Sequence, residues 1–420
     1  MGAAVMGRWS DGSKSDRGQQ KYSRTNARRR VLWTGLAATS VSLILAHRST
    51  TQTELWYSVI PTALEQNMHI FRAVLSDYQQ AVPALTAAER ASGAGSLGMS
   101  VGLALMVGPL LGARFLAKTY EQATYVALLA LLAAAVTVYM LPNADDNSTT
   151  AVSKSTEERK DEFQNSRRHV LSFLDVPSVC SPAALFLLST RLLSALAFHI
   201  FQTISAVSLR ERFEFGPKEY GTFFSVVGFF FAMSQGPMAT ALLHRFGHTS
   251  RGRVHLLLAC SLCTTVLRYT ALYTRNIPLV YASFAVMVSA YGVLATIVTA
   301  DTSHLVPPQE AGAFFGVLAA VESGAGMLGP LLGGLLSKMG SQPQQQESAA
   351  YTSLIYLPLM AILVLSAANL ILMALGYEKL ILNHQQDIST TPPSSSSSSV
   401  STESCPATSS DATASHKKVD

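Results

Sequence analysis

The stretch ALMVGPLLGA, from Ala104 to Ala113, returns 221 positions later as AGMLGPLLGG, from Ala325 to Gly334, inside a second apolar segment. Around each copy the same small residues recur: Gly95 and Gly316 lie nine residues before the alanine, and Gly108-Pro109 and Gly329-Pro330 follow it by four. Gly112 matches Gly333, Glu89 matches Glu310, and both acids stand just ahead of their apolar segments. A pattern repeated in the same order and sense is the trace of a duplicated membrane helix, and parallel repeats of this kind build two halves around one path.

Composition places the chain in a bilayer before any motif is weighed. Charged residues make up 14% of the 420 positions, against about 25% in soluble domains. Nine apolar segments approach the roughly 20 residues needed to cross hydrocarbon: 31 to 46, 96 to 117, 124 to 141, 183 to 208, 221 to 243, 254 to 274, 276 to 298, 312 to 336 and 353 to 375. Segments of that length predict an all-α, polytopic helix bundle. No GxxxxGK[ST] or HExxH pattern occurs, so the phosphate-binding and zinc-hydrolase chemistries those motifs carry lack their signatures.

Between the spans the chain is polar. Residues 1 to 30 read as a disordered basic tail, and their KYSRTNARRR run fits a cytosolic flank better than a nucleic-acid site. Residues 31 to 83 form an atypical region with one apolar segment, 84 to 141 a partial N-terminal bundle, 142 to 181 a charged cytoplasmic linker, 182 to 376 a six-helix bundle and 377 to 420 a Ser-rich tail. Tail and linker are too polar to build a core. Cys260 and Cys263 make a CxxC within an apolar segment, with no second pair or histidine beside them, and read as small helix residues rather than zinc ligands. No cofactor or metal is expected.

The glycines of the repeat have a physical use, because membrane helices associate by backbone approach along a stripe of small residues. In the second copy Gly326, Gly329 and Gly333 share a helix face, and Glu322, four residues before Gly326, shares it too. An acid therefore points where a neighbouring helix packs.

The pattern Gly-x8-Ala-x3-Gly-Pro-x2-Gly-Gly, carried by Gly316, Ala325, Gly329, Pro330, Gly333 and Gly334, resembles the antiporter motif of the major facilitator superfamily. Its first copy, at Gly95, Ala104, Gly108, Pro109, Gly112 and Ala113, follows LTAAERASG, which looks like that family's loop between its fourth and fifth helices. The segment FGPKEYGTFFSVVGFFFAMSQGPMATALLHRFG, 215 to 247, is similar to the tetracycline-transporter-like and organic-cation-transporter-like branch. By this resemblance 84 to 141 correspond to the family's helices five and six, and the six segments from 183 to 375 to helices seven to twelve. His244 stands where the family's loop motif would carry an acid, which takes away the gating salt bridge expected there.

The N-terminal half looks shorter than the family's. Four further helices would need about 80 residues, whereas 31 to 83 supply 53. That space holds the apolar run VLWTGLAATSVSLILA and a polar stretch with Glu65, Asn67, His69, Arg72 and Asp77. Topological parity asks either that 31 to 46 does not cross or that a weak span hides between 53 and 74. Asn147, the one NxS/T sequon, would report the side on which the linker lies.

Ionisable residues inside a bilayer are candidate sites by default. Arg191 and Gln202, eleven apart, share a face, with His199 offset by roughly 80°. Arg191 is expected to attract an anionic group or pair with Glu322, and His199 to carry a proton or bond a backbone carbonyl. Gln235, beside Gly236-Pro237, either lines the path or satisfies a kinked backbone, and Arg268 is expected to snorkel to a membrane face. The resemblance implies a secondary active transporter of small organic solutes, working by proton-coupled antiport and alternating access, with a small-molecule substrate, protons and the lipid bilayer as partners. The alternative is a transport-incompetent membrane protein that recruits partners through its tail. Which membrane holds it is left open.

Overall fold

The computed structural model describes residues 20–65, 67–81, 87–113, 120–141, 181–247, 249–305, 310–340 and 347–382. These residues are almost entirely helical, with no strand among them. In chain order the helices are α1 (Gln20–Arg48), α2 (Gln52–Ser58), α3 (Asn67–Ala81), α4 (Ala87–Leu111), α5 (Tyr120–Tyr139), α6 (Pro182–Phe213), α7 (Pro217–Met233), α8 (Ala239–Phe246), α9 (Ser250–Tyr273), α10 (Ile277–Leu305), α11 (Ala311–Gly340) and α12 (Glu347–Tyr377). A π-helical turn, Ser234–Met238, joins α7 to α8 into one span. Among the described residues eight segments are long and apolar enough to cross a membrane, and they coincide with eight of the nine expected from sequence. The protein is a multi-pass integral membrane protein.

Local chemistry sets the helix ends. Pro182 opens α6 at its first turn behind Ser181, whose hydroxyl accepts from the Ala184 N–H at 3.2 Å. Pro217 does the same for α7, where the Glu219 carboxylate reaches back to the Gly216 N–H at 2.9 Å. Pro237 has no N–H to give the preceding turn, and the helix absorbs that loss by widening to the π-turn at Ser234–Met238. Each repeat copy likewise carries a proline within its helix, Pro109 in α4 and Pro330 in α11.

The spans differ in enclosure. α10 is the most interior, with 61% of its apolar window buried, while α5 has 11% buried and turns Leu129 and Leu132 outward. An apolar side chain facing lipid costs nothing, so α5 lies at the periphery. Two seams join the N-terminal helices to the rest: α4 packs along α7, the π-turn and α10, and α3 packs along α11.

The basic N-terminal run departs from the expected tail, because helix α1 already begins at Gln20. Arg28 is 1% exposed and gives its Nη1 to the Ala73 carbonyl of α3 at 2.6 Å, and Arg29 bonds the Leu141 carbonyl. These two carbonyls, one within α3 and one just past the end of α5, take up the charge that the sequence pattern leaves in solvent. The run 31 to 46 forms the C-terminal part of α1 and is not among the eight spans. Helix α3, at 15 residues, is about 22 Å long and falls short of the roughly 30 Å hydrocarbon core. Asn147, Cys180, Cys405 and most of the linker and Ser-rich tail lie outside the described residues.

Candidate functional site

Close backbone approach builds the first seam. A Cβ added at Gly95 would lie 2.0 Å from the Gln235 carbonyl oxygen, at Gly102 2.5 Å from the Ala232 nitrogen, and at Gly228 2.4 Å from the Met106 nitrogen. At Gly98 it would strike the Gln235 side chain itself. The missing side chains let α4 and the π-turn touch, and that contact turns buried Gln235 into the space between α3, α4, α6 and α10.

That space is a cavity of about 200 Å³, room for about seven waters at roughly 30 Å³ each. Its polar wall includes Arg72, Gln79, Arg191, Gln235, Tyr291 and Thr299, and Phe231 and Phe315 contribute apolar surface. It lies where the N-terminal helices meet the C-terminal bundle, as expected of a path enclosed by two repeats.

A charge cluster adjoins it at the second seam. Glu322 of α11 accepts from Arg191 Nε of α6 at 2.7 Å, and its other oxygen lies 3.7 Å from Arg72 Nη1 and 4.0 Å from His69 Nε2, both on α3. The carboxylate is 24% exposed, and Arg72 and Arg191 are 16% and 10% exposed. Among the described residues, two guanidiniums against one carboxylate leave the cluster with positive charge in excess even when His69 is neutral.

The sequence profile described as Major Facilitator Superfamily matches residues 1–330. The chain belongs to the major facilitator superfamily. Among solved structures, the human organic anion transporter MFSD10 (TETRAN) superposes with a TM-score of 0.61 at 18% identity, over 89% of this chain and 79% of that one. A bacterial homologue of the iron transporter ferroportin, in an outward-facing state, gives a TM-score of 0.49 at 15% identity, over 89% of this chain and 86% of that one. None of the curated proteins compared with the chain matches it. Membership places the chain among membrane transporters rather than enzymes.

Within this superfamily member the sequence-derived residues divide into three groups. Arg191 and Glu322 meet directly, and Arg191 and Gln235 line the cavity. His199 and Gln202 are hydrogen-bonded to each other, but Gln202 is exposed and neither lines the cavity. Instead His199 packs on the second repeat copy: a Cβ at Gly326 would lie 3.4 Å from its Nε2, and at Gly329 2.4 Å from its Cβ. In that copy Ala325 is fully buried and Gly333 faces Thr203 and Ile200 of α6, whereas Gly334 faces open space, as do Gly108 and Gly112 of the first copy.

Arg268 is corrected by the structure. It is 4% exposed and points inward to Ser366 rather than reaching a membrane face. Cys260 is buried, Cys263 half-buried, both are free, and no cluster that could hold a metal occurs among the described residues. At the His244 end of the bundle an ion pair does form, from residues the sequence reading passed over: Arg253 Nη1 lies 3.1 Å from Asp301 Oδ1, and the Tyr377 hydroxyl donates to Asp301 Oδ2 at 2.6 Å. His69, Arg72 and Gln79 were also missed as site residues. Their signal was present, since His69, Arg72, Ser76 and Gln79 recur at spacings of three and four on one helix face.

Proposed function

We propose that this chain is a secondary active transporter of small organic solutes, that its substrates are anionic, and that transport is coupled to protons by alternating access around the cavity between the two seams. One observation carries the reading: the cavity wall holds Arg72 and Arg191 against one nearby carboxylate among the described residues, Glu322. Excess positive charge in a low-dielectric space recruits an anion, and guanidinium binds carboxylates in bidentate fashion. Organic anion transport by MFSD10, which shares the fold, supports the same substrate class.

Protonation of Glu322 would release both guanidiniums together, so an anion and a proton bind the same state and move in the same direction. The antiport expected from sequence asks substrate and proton to compete, which suits a cation that takes Glu322 for itself; the surplus of arginine favours the anion. In this reading Glu322 carries the proton, His69 sets its ease of release, and His199 packs helices. Reconstituted protein is assayed with radiolabelled aliphatic and aromatic monocarboxylates. Uptake driven by an acidic exterior, and made pH-independent by Glu322→Gln, is the expected result. Accumulation driven by an acidic interior would restore antiport, and absence of flux for every solute, cations included, would remove the transport reading.

A further inference from the structure

Tyr291 lines a second cavity besides the central one, of about 10 Å³, walled by Ser194 of α6, Ser261, Thr264 and Arg268 of α9, and Ser366 and Asn369 of α12. Arg268 is its one charged residue. The guanidinium Nη1 donates to the Ser366 hydroxyl at 3.3 Å, and its carbon stands 5.9 Å from the centre of the Phe201 ring. Its Nε, fully enclosed, donates to nothing, and no carboxylate among the described residues pairs with Arg268.

Arginine cannot shed its proton at membrane depth. Enclosing such an ion is costly, and one charge-assisted hydrogen bond to a hydroxyl with one cation–π contact near the outer limit of its range supplies no opposite charge to offset it. A counter-charge is therefore called for, and the wall is arranged to receive one. Asn369 is 5% exposed with its carbonyl oxygen unpartnered, and because amide oxygen and nitrogen interchange on a flip, its NH2 can turn into the cavity. The Thr264 and Thr265 hydroxyls are committed to the Ser261 carbonyl at 2.8 and 2.9 Å, which leaves Arg268, Asn369 and Ser366 as donors, with the Ser194, Ser261 and Tyr291 hydroxyls beside them on the wall. Size selects among anions: 10 Å³ is about one water-sized sphere, too little for an organic acid, whereas a monatomic halide, somewhat larger than water, enters with a small outward shift of the hydroxyl and amide wall.

We propose that this pocket is a chloride site, with Arg268 supplying the charge and Asn369 and Ser366 completing the donor set, separate from the central cavity and adjoining it at Tyr291. The bound ion neutralises the interior of the C-terminal bundle in every state of the transport cycle. The purified full-length protein is heated in sodium chloride, sodium bromide or sodium gluconate at equal ionic strength. Chloride and bromide are expected to raise the apparent Tm by about 3 °C at ten times the half-saturating concentration, and gluconate to leave it unchanged. Arg268→Gln abolishes the halide shift, Asn369→Leu weakens the half-saturating concentration at least tenfold, and Arg191→Gln preserves the shift. Equal midpoints of the unmutated protein in chloride and gluconate would overturn the site without recourse to any variant. A shift that survives Arg268→Gln, or that vanishes instead with Arg191→Gln, would place the halide elsewhere. None of these readouts depends on transport, so failure here is distinguishable from failure of the central-cavity reading.

Discussion

Replacing Glu322 by Gln keeps the volume and removes the charge, which isolates the electrostatic role of the cluster at the second seam. At the observed 2.7 Å to Arg191 and 3.7 Å to Arg72, Coulomb attraction at an effective dielectric of about 20 is about 6 and about 4.5 kcal/mol. Desolvation consumes most of that gross attraction, and breaking a buried pair by removing one partner costs about 3–5 kcal/mol. Because Glu322 retains 24% exposure, Glu322→Gln is expected at the lower end, about 3 kcal/mol, or about 6 °C in apparent Tm at about 2 °C per kcal/mol. Arg72→Gln removes the longer contact and also relieves its repulsion with Arg191, so it costs about 1 kcal/mol. The double variant, with one guanidinium and no carboxylate, should be less destabilised than the sum, with a coupling of about 1–2 kcal/mol. Thermal denaturation of the four proteins in one detergent supplies the cycle. Strictly additive midpoints would refute the cluster as an energetic unit.

The glycines separate just as sharply. Gly329→Ala drives a Cβ to 2.4 Å from that of His199, and Gly228→Ala to 2.4 Å from the Met106 backbone nitrogen, so each should lower apparent stability by about 1–3 kcal/mol. Gly108→Ala meets nothing within 4 Å and should be neutral or stabilising by about 0.5–1 kcal/mol; a Tm series on the three orders them, and loss of fold in Gly108→Ala alone would reverse the reasoning. Asp301→Ala leaves buried Tyr377 and the Arg253 guanidinium without their shared acceptor and should cost about 3–5 kcal/mol, whereas Asp301→Asn with the tyrosine bond kept should cost less. Equal midpoints for the two would show that charge, not the Tyr377 hydrogen bond, holds this end of the bundle.

Length and apolarity made the spans legible, because lipid forces every backbone polar group into its own helix and so writes the crossing length into the sequence. The repeat located the helices where backbones approach, and helical spacing brought Glu322 to the face that Arg191 meets. Spacing could not reveal Arg72 and His69, which arrive from a helix too short and too polar to register as a span. Nor could it separate His199, which packs, from Gln235, which lines the cavity, since that choice depends on how the π-turn rotates the chain after Met233. Arg268 misled for a related reason: nearness to a helix end indicates snorkelling only when no pocket of hydroxyls and amides waits on the inner side.

The two copies of the repeat have come to serve different contacts. In the first, the upstream glycines Gly95, Gly98 and Gly102 hold α4 against the C-terminal bundle, while Gly108 and Gly112 face open space. In the second, Gly326, Gly329 and Gly333 fit α11 to α6 within the C-terminal bundle. One seam between the halves is therefore a tight contact of small residues, whose interdigitated backbones resist sliding. The other is the Glu322 cluster, where separations of 3.7 and 4.0 Å across the seam can lengthen or shorten with little steric cost. If the halves rock, the glycine seam is the fulcrum and the charge cluster the part that opens. Protonation or an arriving anion would then bias the motion at the seam where electrostatics, and not packing, sets the energy.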